Sequence, residues 1–299
     1  MKEEITKFLK NLQDQICGAL EQTDGLAKFH EDLWKHHSGG GGRTRLIQKG
    51  RLIQKGGVNF SEVSGPVSDD MHKQLGLALG EEYFATGVSI VIHPKSPQIP
   101  IIHMNIRYFE MTDGTYWFGG GIDLTPHYVD RLQAKWFHQQ LKNVCDDFDL
   151  SAYYQYKNWA DDYFFIPHRK ETRGIGGIFF DHLNEKSTSK SKIEIKQFWS
   201  NVGLAFAPIY THLLKINEDK AYSEEDLQWQ SLRRGRYVEF NLVWDKGTKF
   251  GLLTGGRTES ILMSLPQNAG WEYNYFPDNN QRAQETLSLL QKGIDWING

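Results

Sequence analysis

The sequence predicts an α/β protein of the α+β type, a large and mostly antiparallel β-sheet flanked by helices on both faces, as a single domain over residues 1–299. Three observations carry that expectation. Apolar residues recur at helical spacing near both ends and through the middle of the chain. Strand-like runs come in groups and do not alternate one for one with helices, which argues against a doubly wound parallel sheet. No linker rich in Pro, Ser or charge divides the chain.

The first twenty residues place Ile5, Phe8, Leu9, Leu12, Ile16 and Leu20 on one helical face, and Gly25 follows their end. A second short helical stretch is expected up to about His37. The tandem repeat RLIQKG at 45–50 and 51–56 reads as hairpin material whose Lys-Gly steps make turns. GVSIVIHP, IIHMNIRYFEM and TYWFGGGIDLTP read as three strands of an antiparallel meander. Residues 128–165 have a helical pattern, GIGGIFFDHL a strand pattern, residues 192–216 that of a long helix and 224–234 that of a shorter one. Strands are expected to resume at RYVEFNLVW, KFGLLTG and SILMSL, and Leu287, Leu290, Ile294 and Ile297 to form a closing helix.

Thirty-four Lys and Arg against thirty-seven Asp and Glu give a net charge of −3, which disfavours a protein whose main partner is nucleic acid. No apolar run approaches the roughly 18 residues of a membrane span, and the acid-bearing N-terminus is unlike a signal peptide, so a cytosolic location is expected. Cys17 and Cys145 stand far apart in no paired-Cys motif, so neither a disulfide scaffold nor a thiolate zinc site is indicated.

In IIHMNIRY, His103, Asn105 and Arg107 alternate with Met104 and Ile106, so a strand here presents polar groups on one face and apolar groups on the other. One face would bind and the other pack; a merely solvated polar face is the alternative. His93 precedes Pro94 at the end of the preceding strand, and a hairpin would bring it near His103 at one rim. His93, His103, His138 and His168 sit in aromatic-rich segments and could converge on Zn, Mn or Fe, or serve acid/base work or carboxylate binding. GGGGRTR, RGIGG and GGRTES set Arg43, Arg45, Arg173 and Arg257 beside glycines, an arrangement suited to gripping an anion with several negative groups or, alternatively, to plain turns with solvated arginines. WFGGGIDLTP delivers Asp123 after three glycines, either as a proton or hydrogen-bond acceptor for a flat ligand or as a turn aspartate. Glu239 and Asp245 read more readily as edge or interface charges than as catalytic carboxylates. Ser61, Ser89 and Ser264 lack any motif of an activated nucleophile. The nine Trp and thirteen Tyr are core or interface material, some of which could wall a flat ligand's pocket.

GGGGRTR, GGVNFS, HMNIRYFE, WFGGGIDLTP, HRKETRGIGGIFFD, RRGRYVEFNLVWDKGTKFGLLTGGRTESILMSLP and WEY, spread over residues 39–273, closely resemble the oxygen-dependent coproporphyrinogen III oxidase family in order and spacing. The resemblance implies heme biosynthesis: oxidative decarboxylation of two propionates of coproporphyrinogen III to vinyl groups, with O2 as co-substrate and protoporphyrinogen IX, CO2 and hydrogen peroxide as products. It implies His103 as proton donor and Ser89, Asn105, Ile106, Arg107 and the Gly255, Gly256, Arg257 turn as substrate contacts. Arg107 or Arg257 would hold the departing carboxylate, and Asp123 would engage pyrrole N–H groups to help form an electron-rich pyrrole anion. Bacterial relatives are described with a metal at positions matching His93, His103, His138 and His168, so a divalent metal such as Mn is one expectation; related enzymes generally work with neither metal nor organic cofactor. A homodimer is implied, with a contact region expected over residues 237–272, opening at Tyr237 and closing near Glu272. The glycines at 39–42 are a candidate hinge for closure over substrate. Ser64 stands where many relatives carry a His, so no proton transfer can be assigned there. A non-catalytic tetrapyrrole-binding module and a metal-dependent hydrolase are the rival readings, and an RNA-binding protein the weakest.

Overall fold

The computed structural model describes residues 1–36, 39–253 and 256–299. Its centre is a seven-stranded sheet in the order β1-β2-β3-β4-β5-β6-β9, with β1 (His30–Lys35), β2 (Gly40–Gln48), β3 (Ile53–Pro66), β4 (Glu82–Pro94), β5 (Ile101–Met111), β6 (Tyr116–Thr125) and β9 (Gly177–Leu183). Every neighbouring pair is antiparallel. Two short strands, β7 (Phe165–Ile166) and β8 (Glu171–Thr172), pair separately. The period-two pattern read from the sequence sets the two faces. Ile102, Met104, Ile106 and Tyr108 of β5 enter the main core, while His103, Asn105 and Arg107 stand half-buried on the other side.

The core face is covered by α1 (Lys2–Asp24), α3 (Arg131–Asp146), α4 (Ala152–Tyr163) and α5 (Lys192–Asn217). Gly25 closes α1 in the left-handed conformation, φ 74°, as expected of a residue without Cβ. The buried Asp24 just before it accepts the backbone N–H groups of Ala27, Arg51, Leu52 and Ile53 at 2.9–3.0 Å. That carboxylate ties the helix end to the β2–β3 hairpin and explains the repeat. The first RLIQKG runs down β2 into a turn at Lys49, φ 57°, and Gly50, where a Cβ would collide with Asp24. The second returns as β3, so its own Lys55-Gly56 step is extended strand and not a turn.

The opposite face is covered by α2 (Asp69–Leu75), α6 (Glu224–Glu239), a π-helical turn (Phe240–Trp244), α7 (Lys246–Leu253) and α8 (Thr258–Leu262). Tyr237 of α6 packs on Val91 and Ile101, and the Asn59 amide donates to the Ser260 carbonyl of α8 at 2.7 Å. Helices therefore lie on both sides of the sheet, as anticipated.

Several expectations are corrected. The segment before His37 is the edge strand β1, not a helix; Trp34 lies over Gly42 of β2, a contact that any Cβ at Gly42 would abolish. The glycines at 40–42 are paired with β3, and Gly41 and Gly42 with β1 as well, so they form sheet and not a free hinge. Thr254 and Gly255 lie outside the described residues; RYVEFNLVW, residues 249–253 of KFGLLTG and the first half of SILMSL are helical, not strands. Their aromatic and β-branched content favours strands locally, but Gln230, Arg233, Arg234, Tyr237, Phe240 and Asn241 are buried at three- and four-residue spacing, so tertiary packing decides. Residues 128–165 form two helices, broken between Asp146 and Ala152. The closing helix α9 (Gln281–Leu289) stops early, and Ile294 and Ile297 follow a left-handed turn at Gly293, φ 79°. Cys17 and Cys145 are free and buried, and burial pushes the Cys17 thiol up to about 12.

His138 of α3 is fully buried; its Nε2 donates to the Ile175 carbonyl at 3.0 Å and its Nδ1 accepts from the Tyr153 hydroxyl at 2.9 Å. Burial pushes its pKa down to about 3. Between that value and the ordinary 6.5 of an unfolded histidine the unfolded chain binds the extra proton. The stability contributed by neutral His138 is therefore complete above pH 6.5 and is lost as pH falls towards 3, by up to about 1.4 kcal/mol per pH unit. Urea denaturation at pH 7 and pH 5 should show a smaller loss for His138→Gln than for wild type; equal losses would remove His138 from this role.

Candidate active site

Antiparallel register builds the site. Ser89 lies opposite Asn105, Gly87 opposite Arg107 and Val91 opposite His103, while on the next strand His103 faces Asp123 and Arg107 faces Gly119. Gly87, Ser89, His103, Asn105 and Arg107 are half-buried and adjoin one another on the face away from the main core. Gly119 makes room for the guanidinium: a Cβ there would fall 2.5 Å from Asp181 Oδ1 and 3.0 Å from Arg107 Nε. Arg107 Nη2 pairs with Asp181 at 2.7 Å, and Nη1 donates to Asn105 Oδ1 at 3.1 Å.

Beneath this patch lies a desolvated ion pair. Arg173 Nη2 donates to both oxygens of Asp123, at 2.9 and 2.7 Å, and Nη1 donates to Asn241 Oδ1 at 3.0 Å. The guanidinium carbon sits 4.4, 4.6 and 4.7 Å from the centres of the Phe164, Tyr237 and Phe240 rings, an apolar cage that attracts a cation through its π faces. Both side chains are only 2% exposed. Burial by itself would raise the Asp123 carboxyl, but the Arg173 charge and the His103 bond outweigh it and hold the group below the usual carboxylate range. His103 Nδ1 lies 2.7 Å from Asp123 Oδ1, with Phe164 edge-on to its ring at 6.0 Å. An ionised carboxylate can only accept, so Nδ1 carries the proton and Nε2 is left for other partners. The His103 side chain, 19% exposed, is the member of this line that reaches the open patch.

The remaining candidates fall elsewhere. Ile106 is wholly buried in the main core on the opposite face, so its side chain is not a ligand contact. Arg43 and Arg45 also project to that face, where they pair with Asp14 and Glu31, and are not available as anion forks over the site. Arg173 is consumed by Asp123. Arg257 pairs with Asp32 at the edge of the sheet. Gly256 donates its N–H to the Gly251 carbonyl at 2.8 Å, and Gly255 lies outside the described residues.

The four histidines do not form a donor set. His93 and His103 share a sheet face, but both nitrogens of His138 are taken by Ile175 and Tyr153, and both nitrogens of His168 by Glu239 and Trp244. Among the described residues no three His, Cys, Asp or Glu side chains are grouped so as to hold a metal ion. Glu239 also accepts from Arg169, Arg236 and Trp271; burial would raise it, but the hydrogen bonds from Arg169, His168 and Trp271 bring it down to about 2. Asp245 accepts from the Thr248 N–H at 2.7 Å and the Tyr163 hydroxyl at 2.9 Å, a structural role at the start of α7. Both carboxylates are thus engaged by partners within the protein.

Sequence reasoning missed Asp181 and Asn241, and it left Arg173 open between an anionic ligand and solvent when its partner is internal. Asp181 was within reach, because it stands two residues after Phe179 on a strand and so shares its face. Asn241 was not, because its segment was taken for a strand. What results is a half-open polar surface, with one imidazole edge and one guanidinium, set on a rigid and deeply buried acid–base pair. It can hold a carboxylate and move a proton.

A family model described as coproporphyrinogen III oxidase matches residues 4–296. The mitochondrial oxygen-dependent coproporphyrinogen-III oxidase of Rattus norvegicus is 47% identical over 310 residues, covering 99% of this chain and 69% of that protein. The oxygen-dependent coproporphyrinogen-III oxidases of Prochlorococcus marinus strains NATL2A and MIT 9301 are 45% and 44% identical, covering 97% and 99% of this chain and 90% and 93% of theirs. Matched by the family model over residues 4–296 and by relatives at 44–47% identity over nearly its whole length, the chain belongs to the coproporphyrinogen III oxidase family.

Proposed function

We propose that this chain catalyses the aerobic oxidative decarboxylation of two propionates of coproporphyrinogen III, giving protoporphyrinogen IX, CO2 and hydrogen peroxide in heme biosynthesis. The observation that carries the reading is the half-open row of Ser89, His103, Asn105 and Arg107 above the buried Asp123–Arg173 pair. For each propionate the β-carbon C–H bond and the bond to the carboxylate break, the vinyl double bond forms, and two electrons pass from substrate to O2. Hydrogen peroxide takes two protons, one from the β-carbon and one from solvent. The substrate is its own reductant, so no organic cofactor enters the scheme. The histidines do not fit a metal, and no step is routed through one.

His103 takes the solvent proton on Nε2 and delivers it from there, and Asp123 acts through His103 as a positioning residue, fixing the ring and its tautomer through Nδ1. For Asp123 to engage pyrrole N–H groups directly, it would have to release Arg173 or His103; the positioning role needs no such loss. Arg107, with Asn105 and Ser89, orients the reacting carboxylate, and exchange of Asp181 for the propionate on the Arg107 fork accommodates it. A non-catalytic binder would have no use for an imidazole held in one tautomer at the edge of its ligand surface.

The reading includes a homodimer. Leu242, Val243, Trp244, Leu252, Leu253 and Trp271 are exposed within the stretch expected to make the contact, and their clustering in sequence supports an interface there. Tyr237 itself is core, 1% exposed, so the contact region starts beyond it. No helix of the described residues is long and apolar enough to cross a membrane. That fact and the two buried free thiols accord with a cytoplasmic enzyme.

Purified protein incubated with coproporphyrinogen III should form protoporphyrinogen in air, with or without EDTA, and none under nitrogen. Product lost on chelation would contradict the metal-free scheme, and no product in air would contradict the assignment. Asp123→Asn should lower kcat on the order of 10²–10⁴-fold with substrate KM little changed, in protein whose near-UV dichroism shows it folded; unchanged kcat would remove Asp123 from the mechanism.

A further inference from the structure

Each turnover as written consumes one proton from solvent, at a site walled by aromatic rings. On the interior side of that site runs a series of buried polar groups for which the reaction has so far no use. His93 stands on the same sheet face as His103: Val91, opposite His103, is its next neighbour on that face of β4. Diagonal neighbours of this kind lie about 7–8 Å apart, backbone to backbone. The Tyr237 ring is edge-on to His93 at 5.1 Å, and Arg173 stacks on Tyr237. Arg234 donates to the Pro94 carbonyl and to Gln54, both at 2.6 Å, and its charge acts on both His93 and His127.

These side chains are at most 3% exposed. Yet His93 Nδ1, Tyr237 Oη, Arg173 Nε, Arg234 Nε and both ring nitrogens of His127 have no hydrogen-bond partner in the protein. Asn241 lies beside the Tyr237 hydroxyl and the Pro97 carbonyl beside the His127 ring, neither with hydrogen-bond geometry. Six of the eleven such atoms among the described residues thus fall along one line. Buried polar atoms left unpaired are costly and rare, and internal water is the usual means of satisfying them. A cavity lies near the outer end, though the His127 ring itself does not line it. Pro126 and Tyr128, on either side of His127, line this cavity of about 40 Å³ together with Gln98, Asp130 and Gln133, room enough for water.

We propose that this line, from the cavity beside Tyr128 through His127 and His93 to His103, holds ordered water and supplies the solvent proton that each decarboxylation consumes. The inference rests on the oxidase reading. His103 gives its Nε2 proton to the peroxide, and the water beside it replaces that proton. His93 Nε2 donates to the Ser264 carbonyl at 2.8 Å, so this ring does not relay the proton and only its Nδ1 anchors a water. The deficit then passes outward along the waters to His127, which takes a proton on one ring nitrogen as it yields one from the other, until bulk water supplies the last. No net charge stays inside. The guanidinium groups of Arg173 and Arg234 favour this direction, since positive charge stabilises a proton deficit and repels an excess proton. Tyr237 Oη and the two arginine Nε atoms hold the waters in register.

Two measurements test it. A high-resolution crystal structure of the resting wild-type protein should show ordered water bonded to the His127 ring and to Tyr237 Oη; a dry His127 ring would overturn the proposal. In air, His127→Leu and Tyr237→Phe should lower kcat about tenfold with KM for coproporphyrinogen III unchanged, and should raise the solvent deuterium isotope effect on kcat. Tyr237→Phe keeps the ring that Arg173 stacks on, so it remains informative if His127→Leu fails to fold. Wild-type turnover with neither variant altered in kcat or isotope effect would overturn the proton line and leave the oxidase assignment standing. A wild-type protein that forms no product would overturn both.

Discussion

The site depends on one desolvated ion pair. Asp123 and Arg173 are both almost wholly shielded from water, and breaking such a pair by removing one partner costs roughly 3–5 kcal/mol because the other charge is stranded. The protein stabilises the pair with groups drawn from across the chain: Phe164 at the end of α4, Tyr237 and Phe240 at the junction of α6 and its π-helical turn, and the Asn241 amide. Because each has its own packing role, the pair has one geometry. That geometry reaches the surface through a single group, His103, whose tautomer the carboxylate sets.

The sheet makes this possible by dividing labour between its faces. One face of β4, β5 and β6 is given to a continuous apolar core under α1, α3, α4 and α5; the other face carries Ser89, His103, Asn105, Arg107 and Asp123 in fixed register. A side chain on a strand between two bonded neighbours has little freedom to move, so the polar row is positioned before any ligand arrives. Glycine at 119 adds the one feature that side chains could not, space for a guanidinium and a carboxylate to meet flat against the backbone. The helices on the polar side cover part of that face and leave the row half open.

The parts of this arrangement that rest on local pattern were legible in the sequence. Period-two alternation in IIHMNIRY set out which residues of β5 face the ligand and which face the core, and the meander, the long helix at 192–217 and the hairpin across the RLIQKG repeat follow from spacing and turn residues. The parts that rest on long-range partners were not. RYVEFNLVW has the composition of a strand, and only the burial of Arg233, Arg234, Tyr237 and Asn241 against distant segments makes it a helix. Arginines beside glycines gave no sign of the protein's own carboxylates as partners, so the internal pairing of Arg43, Arg45 and Arg173 was not foreseen. The resemblance supplied Ile106 with its neighbours, although alternation alone already pointed its side chain to the core.

The central claim is that the Asp123–Arg173 pair fixes the proton on one nitrogen of His103. Side-chain nitrogen NMR on 15N-histidine-labelled protein measures this directly in the neutral form of the ring. The account predicts a protonated Nδ1 and a bare Nε2 for His103 in wild type, with that preference lost in Asp123→Asn, where an amide replaces the carboxylate. A wild-type His103 that carries its proton on Nε2, or a tautomer indifferent to Asp123, would contradict it.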